Sequence, residues 1–127
     1  MSNHPKATIP LPILERMRSI CLKLPEAAEA EAFGAPTFQI RTKNFAMMHG
    51  YQMPPAVWCK APRGAQEAYV GSEQERYFRP PYLGSSGWIG IWLNPEVDPE
   101  WDEIEEIVTE SYRLIAPKKL VALIDSA

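Results

Sequence analysis

The sequence predicts an α+β fold: a two-layer sandwich in which helices from both chain ends cover one face of an antiparallel sheet. Apolar residues recur at helical spacing near the beginning and the end of the chain, whereas short alternating runs fill its middle. The connections between these runs are short, and short connections join antiparallel strands. The 127 residues, of which 46% are hydrophobic and 23% charged, suit one globular domain.

The domain organisation is predicted as a flexible N-terminal tail over residues 1–9 and a single domain over residues 10–127. The tail shows no periodicity. A first helix is predicted over residues 12–24, because Pro12 suits a first helical turn and Pro25 ends the pattern. Its apolar stripe consists of Ile13, Met17, Ile20, Cys21 and Leu24.

Alternating apolar and polar residues predict the strands. These strands cover residues 29–33, 37–41, 45–49, 57–61 and 88–93. Residues 42–44 are predicted to form a tight hairpin turn, since they separate two alternating runs.

The remaining elements are a small helix, a loop and two C-terminal helices. A helix over residues 64–72 is predicted to turn Ala65, Ala68 and Tyr69 inward. Residues 76–86 are rich in proline and glycine and form the longest irregular stretch, a kind of loop that tends to be functional or mobile. Asp98 and Pro99 favour the start of a long helix, and Pro117 starts a last short one.

The charge distribution is uneven. The net charge is -3, from 13 basic and 16 acidic residues. Residues 98–110 are strongly acidic, whereas residues 33–94 carry more bases than acids. Nucleic-acid binders usually have a basic surplus, so the total charge disfavours that class while the basic middle leaves it open.

Several classes of protein are disfavoured by composition. The longest apolar run is too short to cross a bilayer, so neither a membrane protein nor a membrane partner is predicted. Two cysteines do not make a disulfide framework, which suits a reducing cytoplasm. We therefore expect a cytoplasmic protein.

No catalytic or metal site is predicted. His49 is the only imidazole inside the predicted domain, and nothing in the sequence places a nucleophile such as Cys59 beside it. The spacing of the cysteines fits no zinc motif. Carboxylates of the acidic helix can bind a hard cation, but a solvated helix face explains them better. The prediction is a protein without enzymatic activity, metal or cofactor.

The second face of the sheet is the most informative feature. If Phe38, Ile40, Ile89, Ile91 and Leu93 face the helices, alternation turns other side chains to the open face. These side chains are Gln39, Arg41, Trp58, Lys60, Trp88 and Trp92. Aromatic rings interleaved with bases can stack nucleobases and contact phosphates, but can also bind a flat small molecule or a protein. Alternatively, loop 76–86 or a second subunit covers this face.

Four stretches in order resemble the MmcQ/YjbR-like family, whose members adopt a frataxin-like (CyaY-like) α+β fold. The stretches cover residues 21–27, 33–46, 81–91 and 110–119. Glu26 departs from the family, which more often has glycine there. A frataxin-like fold implies iron binding only with an acidic first helix, and here Arg16, Arg18 and Lys23 make that helix basic.

The resemblance implies a DNA-binding module, since members of this family are commonly labelled as predicted DNA-binding. The hypothesis assigns phosphate contacts to Arg41, Lys43, Lys60 and Arg79, and base stacking to Trp58, Trp88 and Tyr82. The alternatives are a small-molecule-binding protein that uses the same face, and a module that forms homodimers or other protein contacts through it.

Overall fold

The computed structural model describes residues 8–125. In chain order its helices and strands are α1 (Leu11–Cys21), β1 (Ala28–Ala32), β2 (Ala35–Ile40), β3 (Lys43–His49), β4 (Ala56–Cys59), α2 (Ala65–Ser72), β5 (Tyr77–Phe78), β6 (Ile89–Trp92), α3 (Trp101–Ile115) and α4 (Lys118–Asp125). Short 3₁₀ turns occupy Leu83–Ser86 and Pro95–Val97. No helix in this part of the chain is long and apolar enough to cross a membrane.

The strands form one open antiparallel sheet in the order β1-β2-β3-β4-β6-β5. The predicted α+β class is therefore confirmed. Strand β5 was not predicted, because two residues inside the irregular stretch 76–86 are too few to show alternation. It pairs with β6 at the edge of the sheet and brings the start of that stretch against the body of the protein.

Helices α1 and α3 pack against one another, and α3 packs on β3 and β4. The side chains predicted to face the helices are all buried in this core: Phe38, Ile40, Ile89, Ile91 and Leu93. The sheet's other face therefore has no helix layer from α1 and α3, as the alternation predicted.

A β-bulge shapes the centre of the core. The β2–β3 register shifts between Phe38 and Gln39, and Phe45 and the next residue, Ala46, are both buried. The Ser111 hydroxyl of α3 donates a hydrogen bond of 2.7 Å to the Phe45 carbonyl. The Tyr112 ring packs edge-on against the Phe45 ring at 5.6 Å, so α3 is fixed on the bulge by two adjacent residues.

The β1–β2 hairpin and the β2–β3 hairpin each turn on two residues with positive φ, as type I′ turns do. Phe33 and Gly34 have φ of 52° and 79°, and Arg41 and Thr42 have φ of 51° and 67°. The prediction of a turn over residues 42–44 was wrong, since Lys43 is the first residue of β3. Arginine and threonine rarely adopt positive φ, so the residue types at positions 41 and 42 give no signal for such a turn.

Three other predictions differ from the structure. Helix α1 ends at Cys21, before the predicted boundary at residue 24, and residues 22–23 continue as a turn. Leu24, the residue before Pro25, is biased away from helical geometry. In α2, Ala68 is exposed and Gln66 is buried instead. Most of the predicted tail lies outside the described residues, but Ile9 is partly buried against the core.

Candidate functional site

The open face of the sheet carries a row of residues in cross-strand register. The row contains Thr37, Met47, Trp58, Gly90 and Phe78, one from each of five adjacent strands. A second row contains His49, Ala56 and Trp92. Alternation therefore places a histidine, a methionine and several aromatic residues on the face away from the helix core.

A cavity of about 740 Å³ lies over part of this face, and we call it the aromatic pocket. It is lined by Phe33, Lys43, Asn44, Met47, His49, Trp58, Tyr82, Leu83 and Trp88. Strands β3 and β4 supply its floor. The β1–β2 turn supplies one wall, and the segment from Tyr82 to Trp88 supplies another.

The floor is built around two stacked rings. The His49 and Trp58 rings lie 3.5 Å apart between centroids, with an angle of 21° between their planes. Neither His49 Nε2 nor Trp58 Nε1 has a hydrogen-bond partner within residues 8–125, although both atoms are buried. Burial lowers the pKa of His49 from 6.5 to about 4, so this imidazole is neutral at pH 7.

At the β5–β6 edge of the sheet, a glycine lets an aromatic ring pack directly on the strand. A Cβ atom on Gly90 would lie 2.3 Å from Phe78 Cζ, so the Phe78 ring rests directly on the glycine backbone. The same ring stacks on Trp92, with 4.3 Å between centroids. Trp92 is on the open face as predicted, but Phe78 covers it and it does not line the aromatic pocket.

The wall contributed by loop 76–86 contains a strained turn. Leu83 N–H donates to the Pro81 carbonyl at 2.6 Å, which closes a γ-turn centred on Tyr82 at φ 64° and ψ -55°. This form of γ-turn is rare because it places an L-residue in an unfavourable region. The Tyr82 side chain is 95% exposed, so its own packing does not explain the strain. Backbone strain of this kind concentrates at functional sites.

One buried side chain holds this wall in place. Gln66 of α2 donates hydrogen bonds from Nε2 to the Gly84 carbonyl at 2.9 Å and to the Trp88 carbonyl at 2.5 Å. A side-chain amide has two N–H donors, so both are used. Gln66 therefore positions the segment that presents Tyr82, Leu83 and Trp88 to the pocket.

The pocket has a simple charge pattern. Lys43 is the one ionised side chain among its lining residues at pH 7, and no carboxylate in the described part of the chain pairs with it. The acidic residues of α3 line a separate cleft on the helix layer, which includes Glu105, Glu106 and Glu110. The α3 surface is therefore strongly acidic, and the pocket is mildly basic.

The structure brings four of the seven predicted site residues together: Lys43, Trp58, Tyr82 and Trp88 all line the aromatic pocket. The other three do not line it. Arg41 lies in the β2–β3 turn and pairs with Glu26 at 3.2 Å, which lowers the pKa of the Glu26 carboxyl. Lys60 follows the end of β4, and Arg79 packs its side chain over Gly84 and lines a neighbouring cleft with Arg63. Arg41 was placed on the open strand face in the sequence prediction, and the hairpin turn places it elsewhere.

Sequence reasoning missed Phe33, Met47 and the role of His49 as pocket residues. Alternation in β3 could have found Met47 and His49, since they flank the buried Met48. Phe33 is 70% exposed in a turn, and no sequence pattern predicts that it faces residues from β3 and β4.

The acidic helix does not form a metal centre in the described residues, where no group of three or more His, Cys, Asp or Glu is placed to hold an ion. Glu103 accepts a hydrogen bond from the Tyr77 hydroxyl, and Glu110 pairs with Arg113 at 3.3 Å. These carboxylates therefore have structural partners.

Within residues 8–125, the helix layer, the open sheet and the aromatic pocket define a small α+β domain with a cavity of about 740 Å³ over the face of the sheet opposite α1 and α3. The YjbR family model matches residues 22–114, and the chain belongs to this family. The resemblance inferred from the sequence motifs is confirmed.

A solved structure shows a similar fold. The crystal structure of Deinococcus radiodurans protein DR2400, which carries a DUF419 domain, superposes with a TM-score of 0.67 and 20% sequence identity. The match covers 80% of this chain and 77% of that one. At this identity the likeness shows the fold and nothing about a ligand. None of the curated proteins compared with the chain matches it significantly.

Proposed function

We propose that this protein is a non-enzymatic binding module whose aromatic pocket takes a flat, largely apolar small molecule. The observation that carries the proposal is a concave site of about 740 Å³ on an otherwise open sheet face, walled by aromatic and thioether side chains. Small-molecule sites typically have volumes of roughly 300–1,000 Å³ and apolar walls with a few polar groups.

The shape of the floor favours a planar ligand. The stacked His49 and Trp58 rings present a flat surface, and Met47 is the cross-strand neighbour of Trp58. A stacked aromatic pair contributes about 0.5–1.5 kcal/mol beyond the burial of its area. Phe33 and Tyr82, both at positive φ, lie in the walls of the pocket, where their rings can contact a bound aromatic ring.

Single-stranded nucleic acid is the second candidate, and one observation favours it. Lys43 lines the pocket with three aromatic side chains of the original DNA-binding hypothesis, Trp58, Tyr82 and Trp88. One unstacked base could occupy the pocket while Lys43 contacts a phosphate. The net charge of -3 and the pairing of Arg41 with Glu26 favour the small molecule instead.

Tryptophan fluorescence titration tests the proposal directly. Naphthamide, a neutral flat probe, is titrated into the wild type, into Trp58→Leu and into Trp101→Leu. Trp101 lies on α3 in the helix layer and serves as a matched control. We expect saturable binding that is lost in Trp58→Leu and kept in Trp101→Leu, with circular dichroism confirming that each variant folds. Absence of binding in the wild type would refute the small-molecule function.

Two parallel measurements separate the alternatives. Labelled single- and double-stranded DNA is titrated at low and physiological salt, where tight binding that weakens steeply with salt would favour nucleic acid. Mass measured against protein concentration without any ligand would reveal whether the protein forms a dimer.

A further inference from the structure

We propose that the ligand of the aromatic pocket is an aromatic monoanion, a flat ring system bearing one carboxylate, whose charge is bound by Lys43. This inference rests on the function proposed above and specifies the chemistry of its ligand. Two features of the pocket carry it: an unpaired cation and a neutral imidazole.

The first feature is the position and pairing of Lys43. It is the first residue of β3, it lines the aromatic pocket, and it is exposed. No acidic side chain within residues 8–125 forms an ion pair with it. The other lining residues contribute no ionised group at pH 7, so the positive charge beside the apolar walls is uncompensated.

The second feature limits the ligand to a single negative charge. Burial of the His49 ring against Trp58 keeps the imidazole uncharged at pH 7, so it adds no second cation to the pocket. Arg41, the basic residue two positions before Lys43, is paired with Glu26 outside the pocket. One lysine can compensate one carboxylate, whereas a dianion would leave a charge unpaired against apolar walls.

The layout also limits the desolvation of the anion. Lys43 is exposed, whereas His49 and Trp58 are partly buried on the floor. A carboxylate bound by Lys43 therefore remains near water while the ring enters the apolar space. A ligand with one charged end and one flat apolar end matches this change from an exposed to a partly buried environment.

Three naphthalene probes of different charge test the inference by calorimetry at pH 7: naphthoate, the neutral naphthamide and naphthalene dicarboxylate. We expect naphthoate to bind roughly tenfold more tightly than naphthamide, as a charge-assisted hydrogen bond allows. The dianion should show no gain over naphthoate.

Lysine variants locate the charge preference. Lys43→Met should lower the affinity for naphthoate by roughly tenfold and so remove the difference between naphthoate and naphthamide. Lys60→Met is the matched control, because Lys60 follows β4 outside the pocket lining, and it should keep the full preference.

The outcomes distinguish this inference from the proposed function. Equal wild-type affinities for naphthoate and naphthamide would overturn the inference and leave the pocket as a site for neutral ligands. If neither probe binds, the proposed function itself fails. A Lys43→Met variant that loses affinity for both probes equally would show that Lys43 maintains the shape of the pocket, which also overturns the inference.

Discussion

The side-chain amide of Gln66 donates a 2.5 Å hydrogen bond to the backbone carbonyl of Trp88 and also bonds the Gly84 carbonyl. Helix α2 thereby holds one wall of the aromatic pocket from behind. Gln66 is only 4% exposed, so water cannot readily replace these bonds when the side chain is removed.

Replacing Gln66 should therefore loosen the wall. We expect Gln66→Leu to lower the free energy of unfolding by about 1–3 kcal/mol, since the Trp88 carbonyl loses the amide donor and the Gly84 carbonyl keeps only its bond from the Gly87 N–H. Urea unfolding measures the stability, and naphthamide titration measures the pocket. Gln74→Leu, at an exposed position just beyond α2, should change neither. A Gln66→Leu variant with wild-type stability and affinity would contradict the role of Gln66.

The contact between Gly90 and Phe78 predicts a steric conflict that can be rescued. Gly90→Ala places a methyl group against the Phe78 ring and should destabilise the protein by about 1–3 kcal/mol. In a Phe78→Ala background the same substitution should have a much smaller effect, because the obstructing ring is gone. Thermal unfolding of the four proteins completes the double-mutant cycle. Equal effects of Gly90→Ala in both backgrounds would show that Phe78 is not the obstacle.

The γ-turn at Tyr82 predicts opposite effects on stability and binding. Tyr82→Gly removes a side chain from a backbone with φ of 64° and should relieve strain of about 1–3 kcal/mol. Tyr82→Ala removes the same ring but keeps a Cβ atom, so it serves as the control. We expect Tyr82→Gly to be the more stable of the two in urea, with both variants binding naphthamide more weakly than wild type. If the alanine variant is equally stable, the turn stores no strain.

Both cysteines should be inert in the folded protein. Cys21 and Cys59 are fully buried, and burial raises the pKa of Cys59 to about 12 and that of Cys21 further. The thiolate is the reactive form, so iodoacetamide at pH 8 should leave both thiols unmodified under native conditions. In urea both thiols should react, and mass spectrometry can count the alkylated cysteines. Rapid labelling of the native protein would show that the helix layer opens readily.

Acid should destabilise the protein through His49. Its pKa is about 4 when folded and about 6.5 when unfolded, so the unfolded chain binds a proton that the folded protein excludes. The stabilising effect is complete above pH 6.5 and is lost as the pH falls towards 4. Over this interval the wild type should lose more unfolding free energy than His49→Gln, which keeps the same carboxylates. Parallel stability curves would show that His49 titrates normally in the fold.

The two layers of the fold could be predicted from the sequence, but the walls of the aromatic pocket could not. Strands β2, β3, β4 and β6 alternate between core and open face, so local periodicity sufficed to assign Trp58, Trp88 and Trp92 to one side. The pocket depends instead on segments that are distant in sequence. Its walls follow from the positive φ of Phe33 and Tyr82 and from the Gln66 bonds, and none of these has a local signal.

The two edge strands of the sheet affect the tendency of the protein to aggregate at high concentration. Strand β1 at one edge alternates alanine with Glu29 and Glu31, and β5 at the other edge has only two residues. Unpaired strand edges invite other chains to extend the sheet, but charged side chains and very short strands oppose such addition. Both edges of the sheet in the described residues therefore oppose the growth of this protein into open-ended β aggregates.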